Sequence, residues 1–371
     1  MELNFRKLWT VLGVACLSAN LAAAPASNGT SGQTRKDDHS MVASGLMYAG
    51  PMLSEESTGI ALGADYILWQ VVQEGLETVT NNYYSAASTA PSTGTTGFPA
   101  SSLLSGFKVH GQVTISECDN IDLFVQYTWL QRSTKTNSGA GGATTYATFL
   151  SDIVEMQGTF TAAVTEWSSS KRDAYNVLDF EIGRLSSISM NNFIVRPFFG
   201  LRGVWNTSTW TASAIGATGA EIATTRTSYQ NTSGAGVRTG FDLAWQFFSN
   251  SEYFGGLKLI GMSALSGVYG RTYTTDNCTS DGGTQTAATG TNRSNKTSLN
   301  RTVPIVDLSI GLSWDMNFGG ELDNDYNVEL HALWETQTWI GYGKHLTATT
   351  YPHAPQTMGI QGLTVGASLE F

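Results

Sequence analysis

Ile121-Asp122-Leu123-Phe124-Val125-Gln126-Tyr127-Thr128-Trp129 puts an apolar or aromatic side chain at every odd position, with Asp122, Gln126 and Thr128 between them. In an extended chain successive side chains point to opposite faces, so this stretch reads as a strand with one apolar and one largely polar face. The pattern returns along the chain. Phe193, Val195, Phe199, Leu201 and Trp205 oppose Arg196 and Arg202. Val237, Phe241, Leu243, Trp245 and Phe247 oppose Arg238, Asp242 and Gln246. Val306, Leu308, Ile310, Leu312 and Trp314 alternate with Asp307, Ser309 and Asp315. Tyr326, Val328, Leu330, Ala332 and Trp334 alternate with Asn327, Glu329, His331 and Glu335.

Weaker alternation covers residues 59–73, 103–116, 174–187, 254–271 and 358–371, with Leu178, Phe180 and Ile182 set against Asp179 and Glu181. A β-sandwich also alternates, but its strands average about 5–6 residues, whereas a tilted membrane-crossing strand takes about 9–11. The connections sharpen the choice. The intervals 74–102, 132–173, 207–233, 272–302 and 342–357 are long and polar, and those near Cys118, Ser189, Ser251 and Gly320 are short. Long and short connections alternate in outer-membrane barrels, whose periplasmic turns are short and external loops long. The expected fold is all-β: a transmembrane, antiparallel, up-and-down β-barrel of about ten strands, or roughly 12–16 if segments such as 146–150 and 159–167 also cross.

The ends agree. Arg6 and Lys7 precede the apolar run from Leu8 to Leu21, and Ala24-Pro25-Ala26 follows it. This order is that of a secretory signal, with cleavage expected after Ala26. Residues 1–26 are then a cleaved signal peptide, 27–58 an N-terminal periplasmic tail and 59–371 the barrel. At the far end Leu363, Val365, Ala367, Leu369 and Phe371 form an apolar row. A last strand ending on an aromatic residue is expected to be the signal read by the outer-membrane assembly machinery. The expected location is the cell outer membrane.

Composition excludes other classes. Only 13% of residues are charged and the formal net charge is −10, so nucleic acid is a poor partner. No run beyond the signal approaches the roughly 18 apolar residues of a membrane helix. Cys118 and Cys278 lie in a short turn and a long loop respectively, at opposite ends of a barrel, so no bond between them is expected.

Gly63-Ala64-Asp65-Tyr66-Ile67-Leu68-Trp69-Gln70, Glu74-Gly75-Leu76-Glu77, Asn176-Val177-Leu178-Asp179 and Arg196-Pro197-Phe198-Phe199-Gly200-Leu201-Arg202-Gly203, with the glycine-rich final strand, resemble the Legionella-type major outer-membrane-protein family of pore-forming proteins. The resemblance implies an outer-membrane porin and supplies no catalytic residues.

The polar strand faces carry the candidate functional residues. Arg184, Arg196, Arg202 and Arg238 are cationic, and Asp179, Glu181, Asp242, Asp307, Glu329 and Glu335 are anionic, with His331 among them. They read as a pore lining that tunes ion selectivity, or as a salt-bridged interior that fills the barrel. About eight strands leave room only for side chains and about sixteen leave an aqueous channel, so ten lie between. The first function read from this is passive diffusion of small hydrophilic solutes and ions. The alternative is a structural or adhesive surface protein with little conduction. His331 beside Glu329 suggests a lumen salt bridge ahead of an acid–base or metal site. The chain contains no G-x-S-x-G, so no enzyme activity and no cofactor are expected. Expected partners are outer-membrane lipid, the assembly machinery, small solutes or ions and a second copy of the chain. Trp69, Trp129, Trp205, Trp314, Trp334 and Trp339 are placed in the interfacial aromatic girdle. Leu201→Arg should damage assembly, and Arg202→Glu should leave the barrel folded.

Overall fold

The computed structural model describes residues 59–74, 76, 79–81, 95–97, 103–116, 121–141, 145–147, 164–184, 186–188, 193–216, 223–251, 255–280, 291–318, 326–343 and 356–370. These belong to one unit, Met41–Phe371. The signal, the periplasmic tail, Cys118 and Phe371 lie outside the described residues.

Fourteen strands are described: β1 (Ile60–Gln73), β2 (Val79–Asn81), β3 (Thr95–Gly97), β4 (Leu103–Ser116), β5 (Ile121–Ala140), β6 (Thr145–Ala147), β7 (Val164–Arg184), β8 (Ser186–Ile188), β9 (Phe193–Gly216), β10 (Ala223–Ser251), β11 (Gly255–Ser280), β12 (Thr291–Phe318), β13 (Tyr326–Gly343) and β14 (Gln356–Glu370). Ten of them close a ring in the order β1-β4-β5-β7-β9-β10-β11-β12-β13-β14, and β14 returns to β1 through Ala61↔Glu370 to Gln73↔Met358. Every pairing is antiparallel. β8 only extends the turn against β9, and β2, β3 and β6 make a separate small sheet. Closure removes the edges that an open sheet would present to lipid.

The outward face of the ring is a band of apolar side chains. Phe199, Leu201, Leu265 and Ile310 are each more than half exposed, and Val125, Phe180, Val237, Leu312, Val365 and Leu369 continue the band. A soluble core would bury such residues; a barrel turns them to lipid. On β9 the outward residues run Val195, Pro197, Phe199, Leu201, Gly203, Trp205, about the length a tilted crossing needs, and then become Thr207, Thr209, Thr211 and Ser213.

That change of residue type corrects two expected loops. Residues 207–233 and 272–302 read as loops from sequence, yet β9, β10, β11 and β12 continue through most of them. Thr, Ser and Asn take over the outward face there, with Trp210, Ala212 and Ala214 turned inward, so the apolar outer row vanishes while the β-branched threonines still favour the strand. Hydroxyl pairs hold the extension: Ser213 Oγ lies 3.0 Å from Thr225 Oγ1, and Thr211 Oγ1 lies 3.4 Å from Thr227 Oγ1. Likewise the segment 159–167 supplies the start of β7 at Val164 instead of another crossing, and Tyr146 belongs to the small sheet.

The extension is one-sided. β12 pairs with β13 only from Ile305 to Phe318, and β4 reaches only Leu130 of β5. Beyond those rungs β5, β7, β9, β10, β11 and β12 stand as a curved wall at the end carrying the long connections. No helix among the described residues is long and apolar enough to cross a membrane.

Candidate functional site

The candidate site is the lumen, built from the inward residues of all ten strands. Because inward and outward positions alternate, each lipid-facing residue fixes the direction of its neighbours. Leu201 is 57% exposed and Arg202 2%; Ile310 is 60% exposed and Asp307, three residues earlier, 1%. Arg196, Arg202, Arg238, Asp179, Glu181, Asp242, Asp307, Glu329, His331 and Glu335 all face inward and are buried. Arg184 does not. It is exposed at the end of β7, paired with outward Ile121, because its number has the parity of Ile182 and not of Glu181.

Eight of the inward charges form one connected cluster. Arg196 reaches Asp122 at 2.5 Å, Asp242 at 2.7 Å and Glu181 at 3.5 Å. Glu181 also accepts from Arg238 Nε at 2.7 Å, and Arg238 pairs closely with Asp307. Arg202 Nε donates to Asp179 Oδ1 at 2.7 Å. Its Nη1 lies 2.7 Å from Asp307 Oδ2, close enough for an ion pair but out of line for a hydrogen bond. Arginine suits such a site because its planar fork serves several carboxylates at once.

A second group lines the wall formed by β1, β4, β11, β12 and β13. Lys108 Nζ donates to Glu335 at 2.6 Å, and Lys258 Nζ lies 3.1 Å from Asp315 Oδ1. His331 Nε2 is 3.0 Å from Asp65 Oδ1, and His110 Nδ1 lies 3.8 Å from the same carboxylate. His331 is thus seated against Asp65, two strands away, and no hydrogen bond joins it to Glu329. Glycine makes these seats. A Cβ at Gly366 would collide with Asp65 and His331, one at Gly63 with His110, and one at Gly183 with Arg196. Across both groups Lys108, Arg196, Arg202, Arg238 and Lys258 face Asp65, Asp122, Asp179, Glu181, Asp242, Asp307, Asp315, Glu329 and Glu335, an excess of carboxylates.

Alternation alone does not single out Asp65, Lys108, His110, Asp122, Lys258 and Asp315 as members of this lining. Most sit in the weaker strands, where the signal was present but faint: Lys108 lies between Phe107 and Val109, and Lys258 between Leu257 and Leu259. Among the described residues no group of His, Cys, Asp and Glu is placed to hold a metal ion.

Beyond the charged belt, toward the long connections, the lumen turns apolar. Ile67, Trp69, Leu130, Tyr175, Val177, Val204, Val268, Val303, Ile305, Trp339, Tyr342 and Ile360 form one buried layer. β10 passes it with Gly234 and Gly236, opposite Val204 and Val268. The aromatic rings meet edge to face: Trp69–Tyr175 at 6.2 Å, Tyr175–Trp339 at 5.9 Å and Trp339–Tyr342 at 5.5 Å between centroids. Their polar tips are satisfied, Trp69 Nε1 by Thr364 and Tyr175 Oη by Gln337. Trp69 and Trp339 are therefore lumen residues and not girdle residues, while Trp205 and Trp334 are half exposed on the outer face as expected. The gap lined by Val204, Val268, Gly270, Arg301, Val303 and Trp339 leaves no room for a water molecule.

A closed antiparallel ring with an apolar outer band and a charged, inward-paired interior defines an integral β-barrel of the outer membrane. The family of the Legionella pneumophila major outer membrane protein precursor matches residues 52–371, and the chain belongs to that family. Comparison with curated proteins finds no match. Solved structures similar to this chain include the outer membrane protease OmpT from Escherichia coli, with 10% identity over 86% of this chain and 99% of that one and a TM-score of 0.37. A Pseudomonas aeruginosa FadL homologue shows 7% identity over 84% and 90%, TM-score 0.24. The translocator domain of the autotransporter NalP from Neisseria meningitidis shows 9% over 84% and 89%, TM-score 0.24. At these values the likenesses carry no argument about activity.

Proposed function

We propose that the protein is a structural, surface-exposed barrel of the outer membrane whose lumen is closed at rest, so that it conducts little. The observation that supports this most is the burial of the lumen itself: Arg196, Arg202, Phe124, Trp69 and Trp339 are each at most 2% exposed although all point into the barrel. Ten strands leave a narrow interior, and here side chains fill it. The wall of β5, β7 and β9–β12 then serves as the surface that meets other molecules outside. The family description of a major outer membrane protein suits an abundant component of the envelope.

A passive porin is the second reading, favoured by the charge of the belt, which a purely structural filling does not require. If the lumen opens, its excess of carboxylates favours cations. Reconstitution in planar bilayers decides between the two. The closed barrel gives no steady ohmic step on insertion; a stable step from each folded barrel restores the porin.

A further inference from the structure

We propose that the end of β13 is a gate over the lumen, hinged at Gly341 and latched by Gln230 and Arg301. The proposal rests on the closed-lumen reading and names the part that closes it.

The ladder loses hold of β13 at this point. Its last pair with β12 is Ile305↔Trp339, and its register with β14 jumps from Trp339↔Met358 to Gly343↔Gln356. Residues 340–342 are left out of both ladders. Gly341 takes φ 71°, a left-handed conformation that glycine adopts at little cost. With strict alternation Trp339 would face in, and so would Gly341, with Tyr342 outside. The bulge instead turns Tyr342 inward, where it is 1% exposed against Trp339.

Side chains from two other strands replace the missing ladder bonds. Gln230 Nε2 of β10 donates to the Tyr342 carbonyl at 3.0 Å, and the Arg301 guanidinium of β12 donates closely to the same oxygen. Arg301 stands just above the rung at which β13 leaves β12. Apart from the rung Gly343↔Gln356, the strand end is held by these two side-chain hydrogen bonds where a continuous strand is held by its backbone, and such bonds are individually weak in net terms. Trp339 and Tyr342 also complete the ring stack that crosses the lumen from Trp69. Releasing 340–343 removes the stack's last member and uncovers the belt below it.

The test uses a cysteine reporter beneath the aromatic layer, Ser266→Cys, in a protein whose native cysteines are changed to serine. Ser266 faces the lumen two residues before Val268, and its hydroxyl has no partner, so the change is mild. A charged methanethiosulfonate reagent is added to folded, heat-modifiable protein in micelles. Gln230→Ala with Arg301→Ala, and separately Gly341→Ala, should raise the labelling rate about tenfold, as expected if two weak bonds hold the closed state. Gln230→Ala alone is the milder arm and should give a smaller rise. Ile340→Ala, on the outward face, should leave the rate unchanged. Folded gate variants that all label at the parent rate overturn the gate. A parent reporter that labels as fast as Ser294→Cys, on the exposed part of β12, overturns the closed-lumen reading instead.

Discussion

Replacing Arg202 by glutamate would set a third carboxylate between Asp179 and Asp307, each 2.7 Å from the present guanidinium. Two costs add. Loss of the cation leaves two buried carboxylates short of a partner, and breaking a buried pair in this way costs about 3–5 kcal/mol. The new carboxylate then repels its neighbours, at about 4 kcal/mol for each charge 4 Å away at an effective dielectric of about 20. The sum reaches the whole stability of an ordinary domain, about 5–15 kcal/mol. Arg202→Glu should therefore fail to assemble or unfold far more easily than the parent. Leu201→Arg, on the lipid face, should cost only about 2–4 kcal/mol. This order departs from the tolerance expected of an open lumen, where water would screen residue 202. Arg202→Met should fall between, losing the cation without adding a charge. The charge swap Asp179→Arg with Arg202→Glu should recover part of the loss. Urea titration of micellar protein, followed by tryptophan fluorescence and by heat-modifiable migration, measures each variant. If Arg202→Glu stays within about 1 kcal/mol of the parent and above Leu201→Arg, residue 202 is solvated and the packed-belt argument is wrong.

Gly366→Ala should destabilise by about 1–3 kcal/mol, because its Cβ overlaps Asp65 and lies 2.6 Å from His331 Nε2. Gly359→Ala on the same strand meets nothing nearer than 4.0 Å and should be neutral, so equal unfolding midpoints for the two would remove the seat argument. Lys108→Met should cost about 3–5 kcal/mol by stranding buried Glu335, and Glu335→Gln in the same chain should return part of it; no recovery would mean the pair is not coupled. Cys278 lies on the extended wall beyond the apolar band, and burial pushes its thiol up to about 11, with Arg226 opposing and Asp276 adding to the rise. The thiolate is the reactive form, so alkylation at pH 8 should run more than about a hundredfold slower than for an ordinary thiol and climb through pH 10. A rate at pH 8 matching that of free cysteine would contradict this environment.

What could be read without the structure, and what could not, follows from how much contrast each segment offers between its two faces. At Ile121–Trp129 and at Val306–Trp314 the lipid face is apolar and the lumen face polar, so the alternation gave both the strand and its orientation. Past Trp205 the outward face turns to threonine and serine while Trp210, Ala212 and Ala214 face inward, and before Pro304 both faces are largely polar, so strands looked like loops because the apolar outer face that marks a crossing had ended. Trp69 and Trp339 failed for the opposite reason: an aromatic residue near a strand end suits an interfacial girdle and a filled lumen equally, and only parity separates them. Trp69 shares parity with Asp65 and Trp339 with Glu335, so counting along the strand from a charged neighbour would have turned both inward. The same count excludes Arg184. Pairing was beyond reach in either case, since nothing local in His331 points to Asp65, 266 residues away. That contact exists because closure brings β14 beside β1 and because Gly366 leaves room between them. The state of the lumen depends on the same closure. Each strand sends in only a few large side chains, and whether these leave a channel or meet in the middle is fixed by the ring's circumference. A ring of ten strands is small enough for Trp69, Tyr175 and Trp339, from three separate strands, to touch.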